Sequence, residues 1–241
     1  MRGRENLGTY GESKIGLVRK VNEDSFYISH EKNVLAVADG MGGYVGGEIA
    51  SKTAVEAIAY YFNNFSYAAS VQLEKAIQYA NSSIRSKTLI DPSLKGMGTT
   101  VSLVTLARHM AFWGHVGDSR IYLYRDGEFT QISADHTIVQ VLLDKGKITE
   151  EEAIDHPQRH VLTRAVGVDE NLVVDSGAFE VQPKDRILIC SDGLTSFIRK
   201  QELCDAIGDY RRTEREIIND LFARVYENGA NDNVTAILTT I

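Results

Sequence analysis

The sequence has few cysteines, few prolines and no long hydrophobic run. Its 241 residues include two cysteines, Cys190 and Cys204, which are too few for a framework of disulfide bonds. We therefore expect a reducing, cytoplasmic location. No apolar run reaches the roughly 18 residues that cross a bilayer. The polar residues 1–14 lack the apolar stretch of a signal peptide, so we expect no membrane contact.

Positive charge is also scarce. The 26 Lys and Arg residues are outnumbered by 33 Asp and Glu residues, which gives a formal net charge of −7. This balance, without a basic stretch, argues against nucleic acid as a partner and against a metal-dependent nuclease. A hydrophobic fraction of 43% and a charged fraction of 24% are ordinary for a globular domain and exclude intrinsic disorder. We expect one domain over residues 1–241, acting as a monomer.

Several short apolar segments predict buried strands, at residues 34–38, 187–190 and 234–241. Asp126-Gly127 lies between two further strand-like segments, a strong signal for a two-residue β-hairpin. Because strands do not alternate with helices along the chain, a parallel doubly wound sheet is disfavoured. The order of elements favours an α+β fold, a sandwich of two antiparallel β-sheets flanked by pairs of α-helices.

Helical spacing of apolar residues predicts two consecutive long helices, over residues 50–65 and 73–84. Thr149 with Glu152, and Thr213 with Glu216, form capping-box patterns that predict two further helix starts. Residues 136–168 are a mixed polar insertion between strands. A long insertion of this kind is typical of a lid or binding flap, and we predict a helical flap there.

Aspartates occur at the ends of several predicted strands. Asp39, Asp118 and Asp192 each follow an apolar strand, and Asp232 immediately precedes one. Carboxylate and carbonyl oxygens without thiols or imidazoles suit Mg²⁺ or Mn²⁺ rather than Zn²⁺. Converged carboxylates need such a cation, since two like charges ~4 Å apart repel by roughly 4 kcal/mol at an effective dielectric of about 20. Taken singly, Asp-Gly is first of all a turn dipeptide, so the repeated strand-end position is what favours a site.

Two neighbouring segments extend this pattern. Gly40 follows Asp39 in a glycine-rich stretch, and a glycine there lets its backbone carbonyl approach a metal closely. The stretch is neither a dinucleotide-binding fingerprint nor a Walker loop. Arg19 precedes the acidic pair Glu23 and Asp24, and its guanidinium fork suits a phosphate group. The alternative for this mixed charge cluster is a solvated turn.

Six motifs, which occur along the chain in the order typical of the family, together resemble the metal-dependent (PPM, type 2C) serine/threonine protein phosphatases. The sequence Met41-Gly42-Gly43 is similar to that of the bacterial branch. The motifs are Arg19-x-x-Asn22-Glu23-Asp24, Asp39-Gly40-Met41-Gly42-Gly43, Gly98-Thr99-Thr100, Gly117-Asp118-Ser119-Arg120, Ser191-Asp192-Gly193-Leu194 and Asn231-Asp232-Asn233-Val234-Thr235. The family fold is two packed antiparallel sheets with flanking helix pairs. A binuclear metal centre lies at one end of this sandwich.

The resemblance implies a set of ligands for Mn²⁺ or Mg²⁺, two ions per site. Asp39 would bridge the two ions, and Gly40 would offer its carbonyl to one of them. Asp192 and Asp232 would hold the other ion. Asp118, with Asp192, would hold the weaker third ion typical of bacterial members.

The resemblance also implies supporting roles. Glu23 would act through bound water, and Asp24 would orient the residues around the ions. Arg19 would grip the substrate phosphate. Thr99 and Thr100 are expected to be structural support at a strand start rather than ligands.

The implied reaction is hydrolysis of phosphoserine and phosphothreonine on proteins, by in-line attack of a metal-bridging hydroxide without a phosphoenzyme. Asp39, Asp192 and Arg19 are the implied catalytic residues, and a serine/threonine kinase and its targets are plausible partners by analogy. Some eukaryotic members carry a histidine after the bridging Asp-Gly as the acid for the leaving alkoxide. Here that residue is Met41, so the sequence assigns no side chain as the proton donor, and water on the third ion is the candidate.

Three histidines in neighbouring segments are expected to be packed or surface residues rather than catalysts: His115, His136 and His160. A cysteine-dependent tyrosine phosphatase needs Cys-x₅-Arg, and neither cysteine has an arginine at that spacing. Calcineurin-like metallophosphatases need Asp-x-His and Asn-His pairs, which the sequence lacks. The remaining alternative is a catalytically silent pseudophosphatase that binds phosphoproteins. Such a module should have lost a ligand, whereas the aspartates at the three central positions are all present.

Overall fold

The computed structural model describes residues 8–66 and 69–241, so residues 1–7 and 67–68 of the predicted domain lie outside the described residues. Its strands are β1 (Gly8–Lys14), β2 (Asp24–Ser29), β3 (Val34–Met41), β4 (Gly98–Thr99), β5 (Val101–Ala107), β6 (Met110–Val116), β7 (Arg120–Arg125), β8 (Glu128–Gln131), β9 (Asp175–Glu180), β10 (Arg186–Cys190) and β11 (Val234–Thr240). Its helices are α1 (Gly43–Asn64), α2 (Ala69–Ile90), α3 (Ile138–Asp144), α4 (Glu150–Ile154), α5 (Asp192–Thr195), α6 (Lys200–Ile207) and α7 (Glu214–Glu227). Among these residues, none of the helices combines the length and the apolarity that crossing a membrane requires.

The strands form two antiparallel sheets, which confirms the predicted α+β sandwich. One sheet has the order β1-β11-β10-β7-β8, and the other has the order β2-β3-β5-β6-β9 with β4 paired to β3. Helices α1 and α2 cover the second sheet, and α7 covers the first at β1 and β11. The layers are therefore helix, sheet, sheet and helix.

Alternation of side chains along each strand separates the cores of these layers. In β3, the residues packed beneath α1 and α2 are Val34, Ala36 and Ala38. The residues that point between the two sheets are Leu35 and Val37. By the same alternation Asp39, two residues after Val37, lies on the inner face where the sandwich opens. The acidic end of β3 is thus aimed at the edge of the inter-sheet layer.

The predicted local elements are present. The helices expected over 50–65 and 73–84 correspond to α1, which ends one residue earlier than predicted, and to α2. The capping boxes at Thr149 and Thr213 are both formed. Asp126-Gly127 joins β7 to β8, with φ of +50° and +90° as a two-residue hairpin requires. The predicted flap falls between β8 and β9 and contains α3 and α4.

Two strands were not predicted, β1 and β9. Both carry few apolar residues, and β9 alternates half-buried and exposed positions along the edge of its sheet. A polar edge strand has little hydrophobic signal for sequence reasoning to detect.

Candidate metal centre

A pair of carboxylates from one sheet meets a serine from the other sheet at one edge of the sandwich. Asp24 at the start of β2 pairs directly with Asp39 near the end of β3. Ser191, just after β10 in the other sheet, donates its Oγ–H to Asp24 Oδ2 at 2.8 Å. The Thr235 N–H donates in turn to Ser191 Oγ at 3.0 Å, so β11 is part of the same junction. Ser191 was missed as a junction residue, although it stands in one of the six motifs.

The electrostatics show how closely these groups crowd. Burial raises the pKa of Asp39 well above its ordinary value, and the charges of Asp24 and Asp192 raise it further. Burial also raises the pKa of Asp24 to about 7. The pKa of Asp118 rises to about 8, first by burial and then by the charge of Asp192. Because each carboxylate raises the pKa of another, the cluster favours a bound cation.

The donors present fit hard divalent cations. Asp24 Oδ1 is a buried side-chain oxygen with no hydrogen-bond partner among the described residues. The neighbours of Asp24 are the carboxylate of Asp39 and the hydroxyl of Ser191, and oxygen donors of this type are those that Mg²⁺ and Mn²⁺ take. Within residues 8–66 and 69–241, no three His, Cys, Asp or Glu side chains are drawn together into a closed metal cage. The fit therefore rests on the chemistry of the donors and on the unpartnered oxygen.

Two of the predicted ligands contact nitrogen-bearing side chains of the chain itself, one of an arginine and one of a histidine. Arg19 Nη2 donates to Asp232 Oδ2 at 2.7 Å, and 46% of the Arg19 side chain stays exposed. His160 Nδ1 lies 3.2 Å from Asp192 Oδ2. This hydrogen bond is the main cause of a raised pKa of His160. Sequence reasoning took His160 for a packed or surface residue; it is exposed, yet the flap brings it onto a predicted ligand.

Glycine is required at residue 40 by close packing. A Cβ built there would lie 2.1 Å from the Gly47 carbonyl oxygen and 2.5 Å from that of Glu23. The Gly40 N–H donates to the same Glu23 carbonyl at 3.1 Å. These contacts place the end of β3 between the loop before β2 and the first turns of α1.

Burial raises the pKa of Glu23, while the charge of Arg19 lowers that pKa.

Thr99, which ends β4, and Thr100, which precedes β5, hold the Asp39 backbone. Thr100 Oγ1 accepts the Asp39 N–H at 2.9 Å, and Thr99 Oγ1 donates to the Asp39 carbonyl at 2.8 Å. Both contact the backbone rather than the carboxylate, as expected for structural support. Asn233 likewise holds the backbone of the loop before β2, because its Oδ1 accepts the Glu23 N–H at 2.9 Å. Sequence reasoning did not single out Asn233, although it adjoins Asp232.

In the part of the chain that the structure describes, neither His115 nor His136 hydrogen-bonds to a predicted ligand. Met41 ends β3 and pairs with Gly98. Because a methionine side chain does not titrate, the residue after Gly40 cannot donate a proton. His115 and His136 are buried, as expected for packed residues. Burial lowers the pKa of His115 to about 3.

Comparisons with known proteins identify the family of the chain. The sequence profile of the protein phosphatase 2C family matches residues 18–239. The serine/threonine protein phosphatase PstP of Mycobacterium tuberculosis is 38% identical over 230 residues, which cover 94% of this chain and 43% of that protein. The chain thus spans less than half of that relative's length. The serine/threonine phosphatase stp of Listeria monocytogenes is 33% identical over 231 residues, covering 92% of this chain and 91% of the relative.

A solved structure extends the likeness to the fold. The crystal structure of the catalytic domain of PstP in complex with two manganese ions is 36% identical. It matches 97% of both chains with a TM-score of 0.87.

Proposed function

This chain belongs to the protein phosphatase 2C family, and from that premise we propose that it hydrolyses phosphoserine and phosphothreonine on proteins with bound Mn²⁺ or Mg²⁺. The observation that carries the proposal is the meeting, at one edge, of the Asp24–Asp39 carboxylate pair of one sheet with Ser191 of the other, beside Asp192. Within the described part of the chain, the buried Asp24 Oδ1 has no hydrogen-bond partner. Support also comes from the relatives, which are named serine/threonine phosphatases.

In this proposal, oxygen donors from three strand ends hold two ions. The residues are Asp39 with the Gly40 carbonyl, and Asp192 with Asp232. The two manganese ions of the PstP catalytic domain support this number. Such ions, when bound, lower the pKa of water and offset charge on phosphoryl oxygens. Asp118, whose pKa responds to the charge of Asp192, would take part in holding a third ion.

Arg19 would bind the substrate phosphate. Among the described residues its one hydrogen bond is from Nη2 to Asp232, which leaves Nε and Nη1 of the exposed guanidinium for phosphate oxygens. By binding the phosphate, Arg19 would position the phosphorus for attack in line with the leaving oxygen of the serine or threonine. Glu23 would hold water beside the ions, and Asp24 would keep Asp39 and Ser191 in place.

Direct attack by water, without a phosphoenzyme, is consistent with the cysteines. Burial raises the pKa of the Cys190 thiol to about 12, so it is not a thiolate nucleophile near neutral pH. Burial also raises the pKa of Cys204, which lies in α6. That the substrates include a serine/threonine kinase and its targets, and that the chain acts as a monomer, stay predictions.

The test is hydrolysis of p-nitrophenyl phosphate and of a phosphothreonine peptide with Mn²⁺, with and without a chelator. We expect turnover that the chelator removes and that Asp192→Asn abolishes. The matched control is Asp126→Asn, which changes an exposed aspartate that also precedes a glycine. Turnover that survives the chelator would contradict the metal assignment. Phosphopeptide binding without turnover would instead favour a pseudophosphatase.

A further inference from the structure

Two buried histidines surround the backbone of Gly117, the residue before Asp118. The Gly117 N–H donates to His136 Nδ1 at 3.1 Å. The Gly117 carbonyl accepts the backbone N–H of His136 at 2.7 Å. The same carbonyl also accepts His115 Nε2–H at 2.9 Å. Both polar groups of Gly117 are therefore held by histidines.

The geometry of this turn leaves little freedom. Gly117 has a φ of +109°, and a Cβ there would lie 2.5 Å from Thr100 Cγ2. Such a backbone conformation is open to glycine and strained for other residues. The path of the chain into Asp118 consequently depends on the hydrogen bonds that hold Gly117.

The hydrogen bonds also define the tautomer of His136. A backbone N–H can only donate, so Nδ1 of His136 carries no proton and Nε2 carries it. Nε2 lies 3.1 Å from Asp175 Oδ2, which accepts that proton. Arg164 Nη1 donates to the other oxygen of Asp175 at 2.5 Å. Each ring nitrogen of His136 thus has its own partner, one at the Asp118 turn and one at the start of β9.

We propose that His136 is a positioning residue for Asp118, because by holding the Gly117 N–H through Nδ1 it fixes the backbone from which the Asp118 carboxylate projects. His136 contacts neither the Asp118 nor the Asp192 carboxylate and acts through the backbone. The inference rests on the proposed function, because the ion that Asp118 would share with Asp192 belongs to that site. It adds a residue that the ligand assignment does not contain.

Two substitutions of His136 separate positioning from packing. In His136→Asn the amide oxygen falls near the place of Nδ1 and can still accept from Gly117. In His136→Gln the amide falls near the place of Nε2, so contact with Asp175 is kept and the acceptor for Gly117 is lost. The matched control is His109→Gln, the same substitution at an exposed histidine.

The measurement is titration calorimetry of metal-free protein with Mn²⁺, together with thermal unfolding in a chelator. The ion that Asp118 holds is identified as the one that Asp118→Asn removes. We expect His136→Gln to lower the affinity for that ion roughly tenfold or more, which is the usual effect of losing a residue that orients a metal ligand. His136→Asn, which keeps the acceptor for Gly117 but loses Asp175, should weaken the binding much less than His136→Gln does. His109→Gln should bind the ion as the wild type does, and Asp118→Asn/His136→Gln should match Asp118→Asn alone.

If His136→Gln does not fold, Asp175→Ala provides the second test. Asp175 is 36% exposed, so it can be truncated with less risk, and it holds His136 through Nε2. We expect Asp175→Ala to lower the Mn²⁺ affinity only at the site that depends on Asp118. The loss of affinity should be smaller than in His136→Gln.

Three results would overturn the inference. One is equal weakening in His136→Asn and His136→Gln that follows their thermal stability, which would indicate packing only. Another is unchanged affinity in His136→Gln. The third is wild-type protein that binds two ions and has none that depends on Asp118, which leaves the proposed hydrolase intact. Wild-type protein that binds no Mn²⁺ would contradict the proposed function as well.

Discussion

Replacing Asp24 with asparagine perturbs the carboxylate cluster at its most enclosed point. Asp24 lies buried beside Asp39; its Oδ2 accepts from Ser191, and its Oδ1 has no partner among the described residues. Burial raises its pKa from 3.8 to about 7. Asparagine keeps the shape and an acceptor for Ser191 but carries no charge. We therefore expect Asp24→Asn to be more stable than the wild type when no divalent ion is present.

The pH dependence of this gain follows from linkage between protonation and folding. A carboxyl whose pKa is raised on folding stabilises the folded state fully below its unfolded pKa of 3.8 and loses that contribution as the pH rises toward 7. The difference of about three pH units corresponds to about 4 kcal/mol, at about 1.4 kcal/mol per unit. The variant and the wild type should be nearly equal near pH 4. At about pH 8 the variant should have a free energy of unfolding higher by about 4 kcal/mol.

The assay is urea unfolding in a chelator, at several pH values across this range. Asp126→Asn, at the exposed hairpin, controls for the loss of an aspartate as such. His115, whose pKa burial lowers to about 3, contributes equally to both proteins and cancels in the difference. A gap between variant and wild type that does not change with pH would refute the reasoning, as would a variant less stable than the wild type at pH 8.

Three further outcomes are expected. Arg19→Ala should raise KM for a phosphopeptide about tenfold with a smaller change in kcat, since charge-assisted hydrogen bonds contribute about 1.5–3 kcal/mol; steady-state kinetics that show only a kcat loss would contradict this role. Gly40→Ala should lower the free energy of unfolding in urea by about 1–3 kcal/mol, because its Cβ would lie 2.1 Å from the Gly47 carbonyl oxygen. Gly46→Ala, whose Cβ would meet a side-chain atom at 3.0 Å, should cost less. Mn²⁺ at about 100 times its Kd should stabilise the wild type by about 2.7 kcal/mol and Asp39→Ala by less, and equal melting shifts in the two would place the ion elsewhere.

Local patterns were sufficient to predict much of the architecture. The apolar run at 34–38 indicated β3 because a strand that is covered on both faces is apolar throughout. The helical spacing over 50–65 indicated α1 because burial of one face imposes a period of 3.6 residues. Thr149 and Thr213 marked helix starts because their capping boxes are formed within four residues. The edge strand β9 escaped prediction because its polar segment is completed by pairing with β6, which no local pattern records.

The candidate site was only partly accessible to the same reasoning. Asp39 and Asp192 were singled out because strand-end aspartates are visible in the sequence. His160 was not, since its contact with Asp192 depends on how the flap folds back over the sheet edge. His136 likewise stands next to no motif residue in the chain, and its bond to Gly117 exists because the flap starts beside that turn.

The order of residues was enough to specify the chemistry of this protein: oxygen donors at strand ends, glycine where backbones touch, and an arginine beside the acids. It could not specify which of those donors share a pocket. Asp24 and Ser191 are 167 residues apart in the chain, yet 2.8 Å separates their oxygens. The alternation of side chains along a strand determines which face of its own sheet a residue lies on. It does not determine which residues of the second sheet lie opposite that face. That meeting depends on how the two sheets pack, because burial of the apolar layer between them sets the distance between their edges.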